Sequence, residues 1–211
     1  MGLTCILTPM TEENVPSPNN ISSELLPQSL KKGKFKEIAK EVVLFIIIAF
    51  GIILPFRLYI AEPYLVDGKS MDPTFDTGDY LIVDKISYKF NEPERNSVII
   101  FRYPGDTKKS FIKRIIGLPG ETVIVGENST RIVNKENPLG FFLDQFYVAH
   151  TSGMSYEATL FEDEYFVMGD NRAESFDSRF WGPLQKKYIL GKPIIRLFPL
   201  NKIEVMPGEI K

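Results

Sequence analysis

The chain has 211 residues and a formal net charge of -2 at pH 7, so no overall positive charge attracts nucleic acid, and we predict no nucleic-acid partner. Its one cysteine, Cys5, excludes an internal disulfide and a cysteine-based zinc site. Its one histidine, His150, excludes a multi-histidine metal site.

The N-terminal part of the chain predicts a tail followed by a membrane anchor. Residues 1–30 are rich in Pro, Ser, Asn and Glu, a composition that predicts a disordered tail. A continuous apolar run extends from Val42 to Phe56. The wider segment from Ala39 to Ala61 is long enough to cross a bilayer, because charged side chains near its ends can reach the interface. We therefore predict a basic flank and transmembrane anchor over residues 31–61; the alternative is a buried core helix.

The charges around this apolar run predict its orientation. Lysines cluster on its N-terminal side, at Lys31, Lys32, Lys34, Lys36 and Lys40. Cytoplasmic flanks carry an excess of Lys and Arg, so the tail is expected to be cytoplasmic and residues 62–211 extracytoplasmic. A cleaved signal peptide fits less well, because the run begins far from the N-terminus and lacks small residues at both cleavage positions.

Residues 62–211 have the pattern of a mainly β, antiparallel catalytic domain. Short runs of β-branched and aromatic residues alternate with Gly, Pro and Asp turns. The predicted strands are Tyr80 to Val83, Val98 to Phe101, Phe111 to Ile116, Thr122 to Val125, Tyr165 to Met168 and Ile194 to Phe198. Residues 126–158 are polar and mixed, which indicates a variable insert or hairpin.

The first candidate for chemistry is Ser70, in the segment Gly68-Lys-Ser-Met-Asp-Pro-Thr-Phe75. Gly68 lets the backbone approach a bound chain, and Pro73 stiffens the residues that follow. The segment is not a Gly-x-Ser-x-Gly elbow, since Asp72 occupies the last position. From these residues alone, a nucleophile and a surface turn are both possible.

The second candidate is Lys113, in the strand-like run before Gly117-Leu-Pro-Gly120. Strand alternation directs Lys113 into apolar surroundings and Arg114 towards water. A buried lysine loses its proton more readily, so it can act as a general base near neutral pH. The alternative is a pair of surface cations. Ser110-Phe-Ile-Lys113 also fits a Ser-x-x-Lys pattern, but that pattern needs a helix.

The third candidate is the polar stretch from Gly169 to Arg179, which lies between apolar runs. Asp163, Asp170 and Asp177 lack the spacing of a calcium loop. A structural turn braced by an Asp177–Arg179 or an Asp170–Arg ion pair is therefore favoured over a metal site.

Together, and in this order behind an anchor, the three stretches resemble the conserved boxes of type I signal peptidases. The resemblance runs from about Lys36 to Pro207. It implies that Ser70 is the nucleophile and Lys113 the general base. It also implies that Ser175 orients the base, and that Asp177 and Arg179 form an ion pair that braces the site.

The resemblance further implies a peptide hydrolase that removes N-terminal signal peptides from exported preproteins. Ser70 attacks the scissile carbonyl, Lys113 takes its proton, and water releases the acyl-enzyme. No metal or organic cofactor is required. Some members carry a serine where Gly68 stands, so the oxyanion here is expected to depend mainly on the backbone N–H of Ser70. His150 is expected at the surface.

The substrate is expected to pair in extended form with residues 64–68, and pockets lined by Val66, Gly68 and Ile112 select small side chains before the cut. The lipid bilayer is the other expected partner; the oligomeric state stays open. The expected location is the cell membrane or the thylakoid membrane, with a single pass. Two alternatives are a self-cleaving Ser/Lys regulator in the cytosol and an inactive membrane-tethered binding module.

Overall fold

The computed structural model describes residues 32–53 and 61–210, in two compact units divided after Ile48. The predicted tail over residues 1–30 lies outside the described residues, as do residues 54–60 of the predicted anchor. Helix α1 spans Lys32–Ile48, and a π-helical turn covers Ala49–Ile53. Neither helix, nor any other within the described ranges, has the length and apolar character needed to span a membrane.

The second unit is built mainly from antiparallel strands, as predicted. Two short α-helices interrupt them, α2 (Ser87–Phe90) and α3 (Ser178–Trp181), together with 3-10 turns at Lys186–Tyr188 and Leu200–Lys202. The strands are β1 (Ala61–Leu65), β2 (Tyr80–Asp84), β3 (Val98–Tyr103), β4 (Asp106–Gly117), β5 (Thr122–Val125), β6 (Thr130–Val133), β7 (Phe141–Phe142), β8 (Tyr156–Thr159), β9 (Glu164–Met168), β10 (Leu184–Gln185), β11 (Ile189–Phe198) and β12 (Glu204–Val205).

The strands form two sheets. The larger has the order β1-β2-β11-β3-β4-β9-β10, with β12 paired to β11, and the smaller has the order β7-β6-β5-β8. Residues 126–158 hold β6, β7 and the first residues of β8 and so belong to the smaller sheet. Strand β1 lies at the end of the larger sheet, and its outer edge pairs with no other described strand.

Buried apolar side chains fix these strands. One core cluster lies between β4, β9 and the smaller sheet and includes Ile116, Val123, Ile132 and Phe166. Gly117 permits this packing, because a Cβ there would lie 2.3 Å from the side chain of Val123. A second cluster surrounds Ile99 and Val167 in the larger sheet. The third cluster, around Met71, Phe75 and Leu81, anchors the segment that carries Ser70.

Candidate active site

Ser70 lies in a tight turn directly after β1, and the turn is held from both sides. Before Ser70, the Val66 N–H donates to the Asp79 carbonyl at 2.9 Å, and the Gly68 N–H donates to Thr77 Oγ1 at 3.1 Å. Gly68 has φ +102°, a backbone conformation that residues with a Cβ rarely adopt. After Ser70, the fully buried side chains of Met71 and Phe75 fix the turn to the core. The hydroxyl is therefore presented by a rigid segment.

Lys113 approaches this hydroxyl from β4. Its Nζ lies 2.6 Å from Ser70 Oγ and also donates to the Ile112 carbonyl at 3.0 Å. The side chain is 4% exposed. Burial lowers the pKa of Lys113 to about 8, Asp177 and Asp170 oppose this shift, and Arg179 adds to it. A half-buried hydroxyl and a buried amine with a lowered pKa thus meet.

Arg114 does not face water, contrary to the expectation from strand alternation. It is 1% exposed, and Asp170 accepts two hydrogen bonds from it, at 2.8 Å and 2.6 Å. Two backbone carbonyls, of Asn96 and Gly208, accept from its Nη1. Arg114 is buried because these acceptors satisfy its guanidinium on the face opposite Lys113.

The third predicted stretch packs directly against the Ser70 turn. The Asn171 N–H donates to the Ser70 carbonyl at 3.1 Å. Gly169 comes so close that a Cβ would lie 2.2 Å from the Ser70 carbonyl oxygen and 2.4 Å from Ser175 Oγ. The sequence shows a glycine here, but only the fold reveals that the position excludes any side chain.

The Asp177 and Arg179 side chains form a fully buried ion pair. Arg179 Nε and Nη2 donate to the two carboxylate oxygens, each at 2.8 Å. Asp177 Oδ2 and Ser175 Oγ both accept from the Gly169 N–H at 3.1 Å. Ser175 therefore touches the loop beside the dyad, and no hydrogen bond between Ser175 and Lys113 is present among the described residues.

Thr74 is a contact that the sequence reasoning missed. Its Oγ1 donates to Asp170 Oδ2 at 2.6 Å, and its carbonyl accepts from Arg196 Nη2 at 2.7 Å. Thr74 thereby joins the turn that carries Ser70 to the Arg114–Asp170 pair. Its place four residues after the candidate nucleophile was the only signal in the sequence.

A cleft of about 310 Å³ opens beside the dyad. Val66, Gly68 and Ile112, the predicted pocket residues, all line it together with Ser70 and Lys113. Leu81 and Ile100 add further apolar surface. The cleft therefore offers apolar surface beside the dyad, with Asp67, Lys69 and Glu174 also in its lining.

Two of the three aspartates considered as metal ligands form ion pairs, and His150 lies at the surface. Asp170 and Asp177 each pair with an arginine. Within residues 32–53 and 61–210, no group of three or more His, Cys, Asp or Glu side chains is arranged to hold a metal ion. His150 is exposed and pairs through its backbone with Asn171.

This antiparallel fold, with a serine hydroxyl in contact with a buried lysine beside a cleft, defines a candidate serine hydrolase. Residues 39–198 match the family model described as signal peptidase, peptidase S26. A probable signal peptidase I-2 of Synechocystis sp. is 33% identical over 86% of this chain and 82% of its own. The chain therefore belongs to the signal peptidase family, whose members remove signal peptides from preproteins.

Two further similarities come from a plant and a solved structure. The probable thylakoidal processing peptidase 2 of Arabidopsis thaliana is 34% identical over 74% of this chain and 43% of its own length. A crystal structure of a signal peptidase I from Enterococcus faecalis is 29% identical, covers 48% of this chain and 97% of its own, and gives a TM-score of 0.42.

Proposed function

We propose that this serine peptidase cuts signal peptides from exported preproteins with Ser70 as the nucleophile and Lys113 as the general base. Membership of the family supplies the reaction, and the residue roles are our inference. The observation that carries them is the 2.6 Å contact between Lys113 Nζ and Ser70 Oγ, formed by a lysine that is 4% exposed.

In the acylation step, the uncharged Lys113 amine accepts the Ser70 proton as Oγ bonds to the scissile carbonyl carbon. The resulting ammonium then donates that proton to the departing amine, and the peptide C–N bond breaks. In deacylation, Lys113 removes a proton from water, the water oxygen attacks the ester, and Ser70 regains its proton. Because the pKa of Lys113 is lowered to about 8, a useful fraction of the amine is uncharged near neutral pH.

The developing oxyanion is proposed to accept from the Ser70 N–H. Among the described residues this N–H donates to no protein acceptor, which leaves it available. The Gly68 N–H is not available in the same way, because Thr77 Oγ1 accepts from it. With Gly68 in place of a serine, one hydroxyl donor is missing, and the backbone donor carries more of the stabilisation.

The stretch from Gly169 to Arg179 is proposed to hold the turn that carries Ser70 in position beside Lys113. The Asp177–Arg179 pair and Ser175 fix the Gly169 N–H, and the next residues bind the Ser70 carbonyl through the Asn171 N–H. The orientation of the base by Ser175 remains a prediction. We expect that Ser175 acts through the backbone around Gly169.

The substrate is proposed to extend along β1. This strand has a free edge among the described strands, and an extended peptide can add to such an edge through backbone hydrogen bonds. Val66 and Ile112 then face the side chains just before the cut. The apolar side chains of Val66 and Ile112 favour small aliphatic side chains over charged ones at these positions.

Membrane attachment through residues 31–61, with the N-terminus cytoplasmic and residues 62–211 on the opposite side, is also part of the proposal. Helix α1 supports it by exposing apolar side chains, among them Phe45 at 71% and Ile47 at 60%. Relatives of the bacterial and thylakoidal kinds fit membrane association. Carbonate extraction of membranes that contain the full chain tests it, and release of the chain into the soluble fraction would refute attachment.

The dyad is tested with the full chain in detergent and a preprotein whose signal peptide ends in Ala-x-Ala. We expect Ser70→Ala and Lys113→Met to abolish cleavage. Ser155→Ala and Lys135→Met are the matched controls, because both residues are exposed and neither lines the cleft. Cleavage at the normal rate by either dyad variant would remove that residue from the mechanism.

A further inference from the structure

A second cavity, which shares no lining residue with the cleft beside the dyad, contains two arginines. Its volume is about 130 Å³, well above the roughly 15 Å³ needed to admit one water. Its walls come from residues 125–129, from residues 145–152 and from the stretch Gly169 to Arg179 together with Met168. The proposed mechanism does not use this cavity.

Arg172, one of the two arginines, is a buried cation that forms no ion pair with the described residues. It is 6% exposed, its Nε donates to the Gly169 carbonyl at 2.9 Å, and its Nη1 donates to Gln145 Oε1 at 3.3 Å. The other buried arginines near the dyad, Arg114 and Arg179, each bind an aspartate. Because a buried charge without a counter-ion is costly, an anion beside Arg172 would stabilise it.

Two donors at the cavity have no protein acceptor. Arg172 Nη2 and Gln145 Nε2 are buried and donate to none of the described residues. The Gln145 oxygen accepts from Arg172, which leaves the amide nitrogen of Gln145 as the donor without a partner. Arg179 Nη1 lies at the same cavity, where Ser152 Oγ accepts from it. Because buried donors without acceptors cost free energy, these groups favour a ligand with several acceptor oxygens.

One carboxylate also lines the cavity. Glu127 lies in the turn between β5 and β6, is exposed, and forms no ion pair with the described residues. Its charge is hydrated, and entry into the cavity would cost it that hydration. Glu127 is therefore the internal competitor that an external anion has to displace.

We propose that this cavity binds a small oxyanion of the phosphate or sulfate class, held by Arg172, Gln145 and Arg179. A guanidinium presents its N–H groups in a planar fork that matches such oxyanions and forms charge-assisted hydrogen bonds with them. The same arginines hold the loop beside the dyad, Arg172 through the Gly169 carbonyl and Arg179 through Asp177. The inference does not depend on the proposed function, because it requires no substrate and no reaction.

Equilibrium dialysis of radiolabelled sulfate against the full chain, in a non-ionic detergent at constant ionic strength, tests the proposal. We expect saturable binding of one sulfate per chain. Arg172→Met should weaken this binding about tenfold or more, because it removes a charged donor. Arg131→Met is the matched control and should bind as wild type does, because Arg131 is exposed on β6 and does not line the cavity.

Gln145→Glu is a second variant, which keeps the shape of the side chain. Its carboxylate would lie beside Arg172 and supply the missing counter-ion, so we expect sulfate binding to be lost and Tm in sulfate-free buffer to rise. A variant that fails to fold would lower Tm instead. Gln185→Glu is the control, because Gln185 is a half-buried glutamine on β10 outside the cavity.

Competition against labelled sulfate identifies the source of the oxyanion. Displacement by inorganic phosphate but not by glycerol 3-phosphate assigns the cavity to the free ion. Displacement by both extends the assignment to the phosphoryl group of a lipid headgroup.

Three results would overturn the inference. The first is the absence of saturable sulfate binding to wild type, which leaves the cavity to water. The second is binding that appears only in Glu127→Gln, which makes Glu127 the occupant. The third is binding that persists with unchanged affinity in Arg172→Met or in Gln145→Glu.

Discussion

The pKa of Lys113 makes a quantitative prediction about the pH dependence of cleavage. With a pKa of about 8, roughly a tenth of the amine is uncharged at pH 7 and roughly a hundredth at pH 6. The rate under kcat/KM conditions should therefore fall about tenfold per pH unit below 8 and level off above about 9. An unperturbed lysine at 10.5 would give a rate that still climbs tenfold per unit between pH 8 and 10.

The same shift predicts how the free energy of unfolding depends on pH. The folded pKa lies below the unfolded value, so between pH 8 and 10.5 the unfolded chain binds more protons and stability rises with pH. Below pH 8 the full penalty, about 3 kcal/mol for a shift of this size, is present. Lys113→Met removes that penalty and should be more stable than wild type at pH 7.

Both pH dependences are measured on the full chain in detergent from pH 6 to 10. Initial rates of preprotein cleavage by wild type give the first, and denaturant unfolding of wild type and Lys113→Met gives the second. We expect the stability advantage of Lys113→Met to shrink steadily above pH 8. An acid limb centred near 10.5, or a stability difference that is independent of pH, would show that the amine is not desolvated and would refute the reasoning.

Three further predictions concern the groups around the dyad. Gly169→Ala should lower kcat/KM by at least a hundredfold, because its Cβ would lie 2.2 Å from the Ser70 carbonyl oxygen; an activity within threefold of wild type would contradict it. Asp170→Asn should destabilise the fold by about 3 kcal/mol, because Arg114 is left buried and uncompensated. Asp76→Asn is the control in the same unfolding assay and should have a much smaller effect, because Asp76 and its partner Lys202 are both exposed. Arg179→Gln should move the acid limb of the pH–rate profile to higher pH, because Arg179 lowers the pKa of Lys113; a limb that moves to lower pH would contradict this sign.

The sequence predicts the strands that have strong apolar character and misses those that depend on distant partners. Thr122–Val125 is predicted with its observed bounds, and the run at Val98 is predicted two residues short. Strand β6 was missed, because Thr130–Val133 lies within polar residues. Its Ile132 becomes buried only when it packs with Val123 and Phe166 from other strands.

Arg114 shows the same limit within the site. The alternation of side chains along the strand correctly separates Lys113 and Arg114 onto opposite faces, but it does not show which face is exposed to solvent. Arg114 is buried because Asp170, 56 residues away in sequence, supplies a carboxylate. The candidate dyad itself was found through the joint order of three motifs, whereas the role of Gly169 as a close contact required the three-dimensional arrangement.

The ion pairs around the dyad also address an electrostatic problem. Two buried carboxylates, Asp170 and Asp177, lie close enough to Lys113 to raise its pKa, which works against an uncharged base. Each is bound by an arginine through both carboxylate oxygens, and Arg179, the partner of Asp177, lowers the pKa of Lys113 and so offsets part of their effect. Desolvation then remains the largest influence on Lys113, and the same aspartates can order the Ser70 turn and the Gly169 loop without holding a proton on the base.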